Sequence, residues 1–242
     1  SVTSFVLAIL WTPLLTHYLY KYKLWRKTVR DTAPDGTKTP LFAELHKTRE
    51  TRVPRMGGLL IWITAISLAL IIWLMARFFP ASAFWGKANF LSRNQTWLPL
   101  FIMLAASLLG AADDLATVFG KGKYVAGGIR FRHRLILVFV IALLGALWFY
   151  FKLDWRTLYL PGLGDVYIDG WYIPIFIFTM ILLFSSSVVD GIDGLAGGVF
   201  ASIFAAYMGI AFFQGQYDLA AFCGVVLGAL LAFLWFNIPP AR

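Results

Sequence analysis

The chain has 242 residues, of which 60% are hydrophobic and only 14% charged, and its formal net charge is +9. A soluble globular protein is about half apolar and about one quarter charged, so the composition excludes a water-soluble domain and a disordered chain. A single cysteine, Cys223, also excludes a disulfide scaffold. The outer surface of such a chain must face lipid, because polar groups are too few to cover it.

Seven stretches are apolar and long enough, or nearly so, to cross a bilayer as a helix, which takes roughly 17–25 residues. In chain order they are 5–20, 57–79, 97–112, 135–151, 171–189, 195–213 and 219–236. None alternates in polarity as the strands of a membrane β-barrel do. Because lipid offers no hydrogen-bond partner to the backbone, the sequence predicts an all-α, polytopic membrane helical bundle, with one domain over residues 1–242.

The basic residues predict how these spans are oriented. The connections 21–56 and 113–134 hold ten and five Lys or Arg, and Arg242 follows the last span. These sixteen basic residues compare with four or five on the opposite side of the membrane. The side richer in Lys and Arg is therefore predicted to be cytoplasmic. The same residues would attract anionic lipid head groups. They flank spans and lack interleaved aromatic residues, so no nucleic-acid partner is expected.

Four of the twelve acidic residues lie at predicted span ends. Asp113 and Asp114 close the third span, and Asp190 and Asp193 lie between the fifth and sixth, so the topology puts both pairs on the cytoplasmic side. Carboxylates grouped near hydrocarbon are desolvated and repel one another, and a divalent cation relieves both effects. Mg²⁺, which takes one or two carboxylates, waters and substrate phosphate oxygens, is the expected cofactor. Any one of these aspartates alone could instead be a solvated interface residue or a helix N-cap.

Local spacing adds two expectations about this site. Neighbouring residues of a helix point about 100° apart, so one of Asp113 and Asp114 can face a metal while the other faces a substrate or partner. Before the second span, Pro-Arg-Met-Gly-Gly at 54–58 combines a fixed entry with glycines that permit close backbone approach.

Four motifs, in this order, resemble the polyprenyl-phosphate N-acetylhexosamine-1-phosphate transferases. They are Pro-Arg-Met-Gly-Gly at 54–58, Gly-x-x-Asp-Asp at 110–114, Asp-Gly-Ile-Asp-Gly-Leu-Ala-Gly-Gly at 190–198 and Phe-Leu-Trp-Phe-Asn at 233–237. The segment 228–237 is most similar to the bacterial phospho-N-acetylmuramoyl-pentapeptide transferase branch of that superfamily.

The resemblance implies a reaction and a setting. A UDP-linked amino sugar peptide would give its phospho-sugar to undecaprenyl phosphate, UMP would leave, and Mg²⁺ would be required. The product would be lipid I of peptidoglycan synthesis. The resemblance further implies a multi-pass protein of the bacterial inner membrane, with its active site on the cytoplasmic side, and suggests a homodimer.

The resemblance also implies roles for individual residues. It places Asp113, Asp114 and Asp190 at the reaction centre, as catalytic residues and as Mg²⁺ ligands. The candidates for substrate binding are polar or charged residues near the same membrane face: Asp193, Lys121, Lys123, Ser187 and Asn237. Asp193 matches the family position that lies near the uracil ring of the UDP-linked substrate.

The chain departs from the family pattern in several places. Ser187 and Phe184 stand where Asn is usual, and Thr117 stands where Lys is often found. The family's Phe-x-Gly-Asp motif, which carries its main Mg²⁺ ligand, would begin after Arg242, and a His-rich motif would follow. The resemblance therefore implies about three further spans, about ten in all, and an inactive fragment as given.

Two other functions stay open from the sequence. A UDP-GlcNAc:undecaprenyl-phosphate GlcNAc-1-phosphate transferase would keep the superfamily and change the sugar. A cation- or proton-coupled transporter belongs to another class, and it would need carboxylates near the bilayer midplane, broken helices and an internal repeat. No repeat is visible in the sequence.

Overall fold

The computed structural model describes residues 1–25, 54, 56–92, 94–119, 131–160, 162–186 and 194–238. The elements in chain order are α1 (Val2–Lys21), α2 (Leu59–Phe78), α3 (Ala83–Ala88), α4 (Asn94–Val118), α5 (Phe131–Leu147), β1 (Thr157–Leu160), β2 (Gly164–Tyr167), α6 (Tyr172–Ser186), α7 (Leu195–Phe213) and α8 (Tyr217–Asn237). A π-helical turn, Trp148–Lys152, extends α5, and 3₁₀ turns precede α4 and α6.

Each of the seven predicted spans coincides with a helix. Within the described ranges, six helices are long and apolar enough to cross a membrane: α1, α2, α4, α5 with its π turn, α7 and α8. The predicted span 171–189 corresponds to a shorter apolar helix, Asp169–Phe184. The prediction of an all-α, polytopic membrane bundle is therefore confirmed.

The helix that carries the first aspartate pair is longer than predicted. The sequence predicts a span over 97–112, whereas α4 continues to Val118. Asp113 and Asp114 therefore lie inside the last turns of the helix and not beyond its end. The hydroxyl of Thr117 donates to the main-chain carbonyl of Asp113 at 2.9 Å, one turn away, within this polar end of the helix.

Helix α8 is the centre of the bundle. Its residues 222–230 are buried without interruption, so the helix has no lipid-facing stripe over that stretch. Helices α7, α1 and α2 pack around it. A helix that is apolar on all sides is typical of such a central position.

Small residues bring α1 and α8 close together. Gly224 and Gly228 are four residues apart in α8, and a side chain at Gly228 would clash with the main-chain carbonyl of Ser1. Nearby, the hydroxyl of Ser4 donates to the carbonyl of Val225 at 2.5 Å. Glycines at this spacing let the backbones of membrane helices approach, and Ser hydroxyls then bond across the contact.

Replacing Gly228 with Ala is expected to destabilise the bundle by about 1–3 kcal/mol, because the added methyl group meets backbone atoms that cannot rotate away. Gly209→Ala in α7 is the matched control, since nothing lies within 4 Å of a side chain added there. The control is expected to leave the melting temperature in detergent unchanged or raised, because Ala favours the helix. Equal melting temperatures for both variants would contradict this account of the α1–α8 contact.

The connection between α5 and α6 contains an antiparallel β-hairpin that the sequence analysis did not predict. Its register runs from Thr157 opposite Tyr167 to Leu160 opposite Gly164. Asp113 in the last turns of α4 contacts Arg134 in the first turn of α5, so the two helices are antiparallel. Helix α5 and its π turn then carry the chain away from Asp113. We call the two ends of the bundle the aspartate end and the hairpin end.

Candidate functional site

A cavity of about 860 Å³ opens between the helices. Asp114 carries the only ionisable side chain among the described residues that line it. The remaining wall is almost entirely apolar and comes from the residues just before α2, from α2, α4, α6, α7 and α8, and from the π turn. It includes Trp62, Met103, Phe149, Phe176, Phe204 and Phe222. The cavity thus combines a large apolar surface with a single carboxylate.

Asp113 points elsewhere, towards α5. The Nη2 atom of Arg134 donates to both of its carboxylate oxygens, at 2.6 Å each. The Asp113 side chain is 21% exposed and that of Arg134 is 36% exposed, so the ion pair is only partly open to solvent. Such charge-assisted hydrogen bonds fix the orientation of a carboxylate.

The two neighbouring aspartates therefore face different surroundings. Residues adjacent in a helix point about 100° apart, which turns Asp114 into the cavity and Asp113 towards Arg134. Thr117, which stands where the resemblance expects Lys, is buried and bonds to its own helix. A cation still lies beside Asp113, but Arg134 of the next helix supplies it.

The Pro-Arg-Met-Gly-Gly segment reaches the same cavity, since Met56 and Gly58 are part of its wall. Met56 is buried and has a φ of 73°, in the left-handed region that a residue with a side chain seldom adopts. Backbone held in such a conformation is often part of a functional site.

Glycines of two motifs pack against the C-terminal part of α8. A side chain added at Gly57 would come within 2.9 Å of the Phe233 ring, and one added at Gly197 within 2.7 Å of a Leu234 methyl group. The motifs at 54–58 and 190–198 thereby meet the motif at 233–237. These glycines permit close packing beside the cavity, which is a structural reason for their presence.

Asn237, predicted to bind substrate, does not line the large cavity. It lines a separate cavity of about 110 Å³, together with Thr12, Thr16 and Tyr20 among others. The structure therefore does not bring Asn237 and Asp114 to a common surface, and a substrate-binding role for Asn237 stays a prediction.

Five predicted site residues lie outside the described residues: Lys121, Lys123, Ser187, Asp190 and Asp193. The convergence of the two aspartate pairs is thus untested. The helices that flank the second pair do reach the cavity, because Leu183 of α6 and Phe200 of α7 line it with Asp114.

The described carboxylates fit Mg²⁺ in part. Asp114 offers a hard oxygen donor at the cavity, and Mg²⁺ usually binds one or two carboxylates with water and phosphate oxygens completing its shell. Asp113 already shares both oxygens with Arg134. Across the described ranges no three acidic, His or Cys side chains form a group that could hold a metal by themselves.

Arg134 and the cavity were missed by the sequence analysis. Arg134 was counted only as one of the basic residues that orient the spans. The sequence did contain a signal for this contact. In an antiparallel helix pair the last turn of the first helix lies beside the first turn of the second, so Asp113 and Arg134, placed in these turns, can form an ion pair. The cavity has no sequence signal, because apolar residues facing lipid and facing a cavity look alike.

Comparison with known families identifies the class of protein. The profile described as glycosyl transferase family 4 matches residues 96–242, which include both aspartate pairs and Asn237. This chain belongs to glycosyl transferase family 4.

Relatives of this family 4 chain bear the name phospho-N-acetylmuramoyl-pentapeptide-transferase. The relative from Geobacillus thermodenitrificans is 31% identical over 242 residues, covering 99% of this chain and 66% of the relative. The relative from Listeria monocytogenes is 31% identical over 243 residues, covering 99% and 66%. The relative from Latilactobacillus sakei is 30% identical over 246 residues, covering 100% and 67%. The chain spans about two thirds of the length of these relatives.

Family 4 membership confirms the resemblance drawn from the motifs and gives the transporter no support. Asp113 and Asp114 also lie in the last turns of α4, whereas a transporter site would lie near the middle of a span.

Proposed function

We propose that the complete protein transfers phospho-N-acetylmuramoyl-pentapeptide from its UDP carrier to undecaprenyl phosphate, releases UMP and so forms lipid I. Support comes from the family 4 profile and from relatives of that name that align with 99% or more of this chain. The names of these relatives do not favour the alternative UDP-GlcNAc transferase.

One structural observation carries the proposal: a large apolar cavity among membrane-spanning helices has the Asp114 carboxylate in its wall. A prenyl phosphate is chemically a long hydrocarbon with one anionic head. The apolar wall suits the hydrocarbon, and the head can reach the carboxylate from within the membrane. A water-soluble nucleotide would approach from the aspartate end, where the spans meet water.

In a phosphoryl transfer of this kind, the main contributions of the protein are to position the two substrates and to stabilise the charge that develops in the reaction. A bond forms between an acceptor phosphate oxygen and the sugar phosphate, and the bond from that phosphate to UMP breaks. In this proposal Asp114 accepts the acceptor's proton, while Arg134 holds Asp113 in a fixed orientation. A direct displacement and a two-step reaction through a covalent intermediate would give the same products.

The proposal includes Mg²⁺ as cofactor, with Asp113, Asp114 and Asp190 as its candidate ligands. When bound, Mg²⁺ would neutralise the diphosphate and ease the departure of UMP. The carboxylate oxygens of Asp114 are the donors that best fit this role among the described residues.

The proposal also includes a setting. The family resemblance supports a bacterial inner membrane protein, and the lysines and arginines of the connections 21–56 and 113–134 support an aspartate end in the cytoplasm. Residues 1–242 are proposed to belong to one integral-membrane transferase domain. A homodimer stays part of the proposal on the family resemblance alone.

A substrate competition assay tests the proposed donor. The complete protein in detergent with undecaprenyl phosphate and Mg²⁺ is expected to release UMP from UDP-N-acetylmuramoyl-pentapeptide and to leave UDP-GlcNAc unchanged. Removal of Mg²⁺ with EDTA is expected to stop UMP release, and added Mg²⁺ to restore it. Release of UMP from UDP-GlcNAc alone would replace the proposed donor with the alternative, and release of UMP from neither would overturn both.

A further inference from the structure

The hairpin formed by β1, β2 and their turn stands apart from the helices. Among the described residues, neither strand packs extensively against any helix. A lone two-stranded hairpin is marginally stable in water and needs a further strand or a packed surface on one face. A surface outside the described residues that covered this hairpin would therefore stabilise it.

The exposed surface of the hairpin and its roots is unusually apolar. Leu163 at the tip is 77% exposed and Trp171 at the root is 73% exposed. Other large exposed side chains on the same segment are Trp155, Leu158, Tyr159, Leu160 and Tyr167. Leu158 pairs with Val166 and Leu160 with Gly164, so both leucines lie on one face of the hairpin. Tyr159 and Tyr167 lie on the opposite face, together with the exposed Asp165.

A polar cluster fixes the root of the hairpin to the π turn. The main-chain N–H groups of Ile168 and Asp169 donate to the carbonyl of Arg156 at 2.8 and 3.1 Å. The guanidinium of Arg156 pairs with Asp154 at 2.7 Å and with Asp169 at 3.4 Å. The hydroxyl of Tyr150 donates to Asp169 at 2.9 Å. The hairpin thus leaves the bundle in a defined direction.

The hairpin continues the lipid-facing surface of the bundle. In α5 and its π turn, exposed Leu144, Trp148 and Phe151 form a stripe at helical spacing that ends beside the hairpin. In α6, exposed Phe178 and Ile175 lead back along the helix to Trp171. The span that ends in the π turn and the shorter helix α6 are both apolar, so these stripes suit contact with lipid, and the hairpin joins their ends.

We propose that the hairpin lies along the bilayer surface, with Leu163 and the exposed Tyr and Trp rings at the boundary between head groups and acyl chains. Tyr and Trp are enriched at this depth because their rings are apolar at one end and polar at the other. The proposed partner is thus the phospholipid interface itself, at the end of the bundle opposite Asp113.

Insertion deeper into the hydrocarbon is excluded by the backbone. Each strand has four residues, about 13 Å of chain, whereas a strand that crosses the membrane needs about 9–11 residues. The outer edges of a two-stranded hairpin also carry unpaired N–H and C=O groups that only water or head groups can satisfy. The interface meets both requirements.

The net charge of the hairpin segment predicts that it contacts lipid through apolar groups. The segment 152–169 holds Lys152, Arg156 and three aspartates, which leaves a formal charge of −1. Anionic lipids are therefore not expected to strengthen the contact, because the segment has no positive surplus to attract them.

Site-directed spin labelling in vesicles tests this depth. In the complete protein with Cys223→Ala, the buried cysteine of this sequence is removed and Leu163→Cys carries a nitroxide label. The vesicles contain phosphatidylcholine and phosphatidylglycerol. The control Leu144→Cys reports lipid, and the control Gln214→Cys reports the polar turn between α7 and α8. All three positions are exposed, so labelling is expected to leave the melting temperature unchanged.

The measurement is the collision rate of each label with oxygen, which enters lipid, and with a nickel chelate, which stays in water. The oxygen-to-nickel ratio at position 163 is expected to exceed that at 214 by at least about threefold and to stay below that at 144, because the tip lies at the interface and not in the hydrocarbon. Vesicles of phosphatidylcholine alone are expected to give the same ratio.

Three results would overturn the proposal. A ratio at 163 equal to that at 214 would show that the tip projects into water. Low collision rates with both reagents would show that protein covers the tip, either a second copy or another part of the complete chain. A ratio that drops when phosphatidylglycerol is omitted would show that charge holds the hairpin at the membrane.

Discussion

The Asp114→Asn variant of the complete protein is expected to lose about 10²–10⁴-fold in turnover. Asp114 is the one ionisable side chain that the described helices turn into the large cavity, so no neighbour there can replace its charge. Asn keeps the shape of the side chain but accepts no proton and offers a weaker oxygen ligand to a cation. The measurement is the rate of UMP release at saturating donor and acceptor.

The control for this loss is Asp165→Asn in β2, an exposed aspartate at the opposite end of the bundle. It makes the same chemical change and is expected to leave turnover unaltered. Both variants are expected to melt at the temperature of the parent, which separates loss of chemistry from loss of fold. Turnover in Asp114→Asn equal to that in Asp165→Asn would remove Asp114 from the reaction.

The positions of the apolar helices could be predicted from the sequence, because a bilayer demands long apolar helices and little else satisfies the backbone in lipid. Six of the seven predicted spans correspond to helices of span length, and the seventh to a shorter one. Which helix lies at the centre could not be predicted. Helices α7 and α8 are both strongly apolar, yet only α8 is buried along most of its length. Its Cys, Gly and Ala residues over 223–232 are the signal, since small side chains suit close helix contacts.

The hairpin and the π turn lie beyond what hydropathy can predict. Segments of four or five residues show too few periods to distinguish a strand from a loop. Their geometry depends on particular bonds, above all the two main-chain hydrogen bonds to the carbonyl of Arg156. Sequence alone does not indicate that a carbonyl in a connection will be used in this way.

The candidate site was predicted in its parts but not in its arrangement. The motifs singled out Asp113 and Asp114, and helical geometry predicted that they would face different directions, as they do. The partner of Asp113 depended on the register of α4 against α5, which the intervening residues 120–130 leave undetermined at the level of sequence. Basic residues at span ends also determine the orientation of a membrane protein, so the position of Arg134 at a span end does not distinguish it from the other basic residues there.

Removal of the Arg134 guanidinium is expected to lower turnover by about tenfold through Asp113. In the described geometry Arg134 contacts Asp113 and does not line the cavity, so it acts as a positioning residue. Arg134→Gln is therefore expected to lower kcat with little change in the KM for the nucleotide. A single nitrogen of Arg134 makes both contacts, so Arg134→Lys is expected to recover much of the loss, whereas a fork-shaped contact would not tolerate Lys.

A double-mutant cycle measures whether the pair acts as a unit. Arg134→Gln, Asp113→Asn and the double variant are expected to show a coupling of about 1 kcal/mol in unfolding free energy, because the Asp113 carboxylate is mostly shielded from water. The matched pair is Arg156 with Asp154 at the hairpin end, whose side chains are 40% and 76% exposed. Its coupling is expected to be smaller, since exposed ion pairs contribute about 0–1 kcal/mol. Additive losses at Arg134 and Asp113, or full turnover in Arg134→Gln, would show that this ion pair does not set the orientation on which the reaction depends.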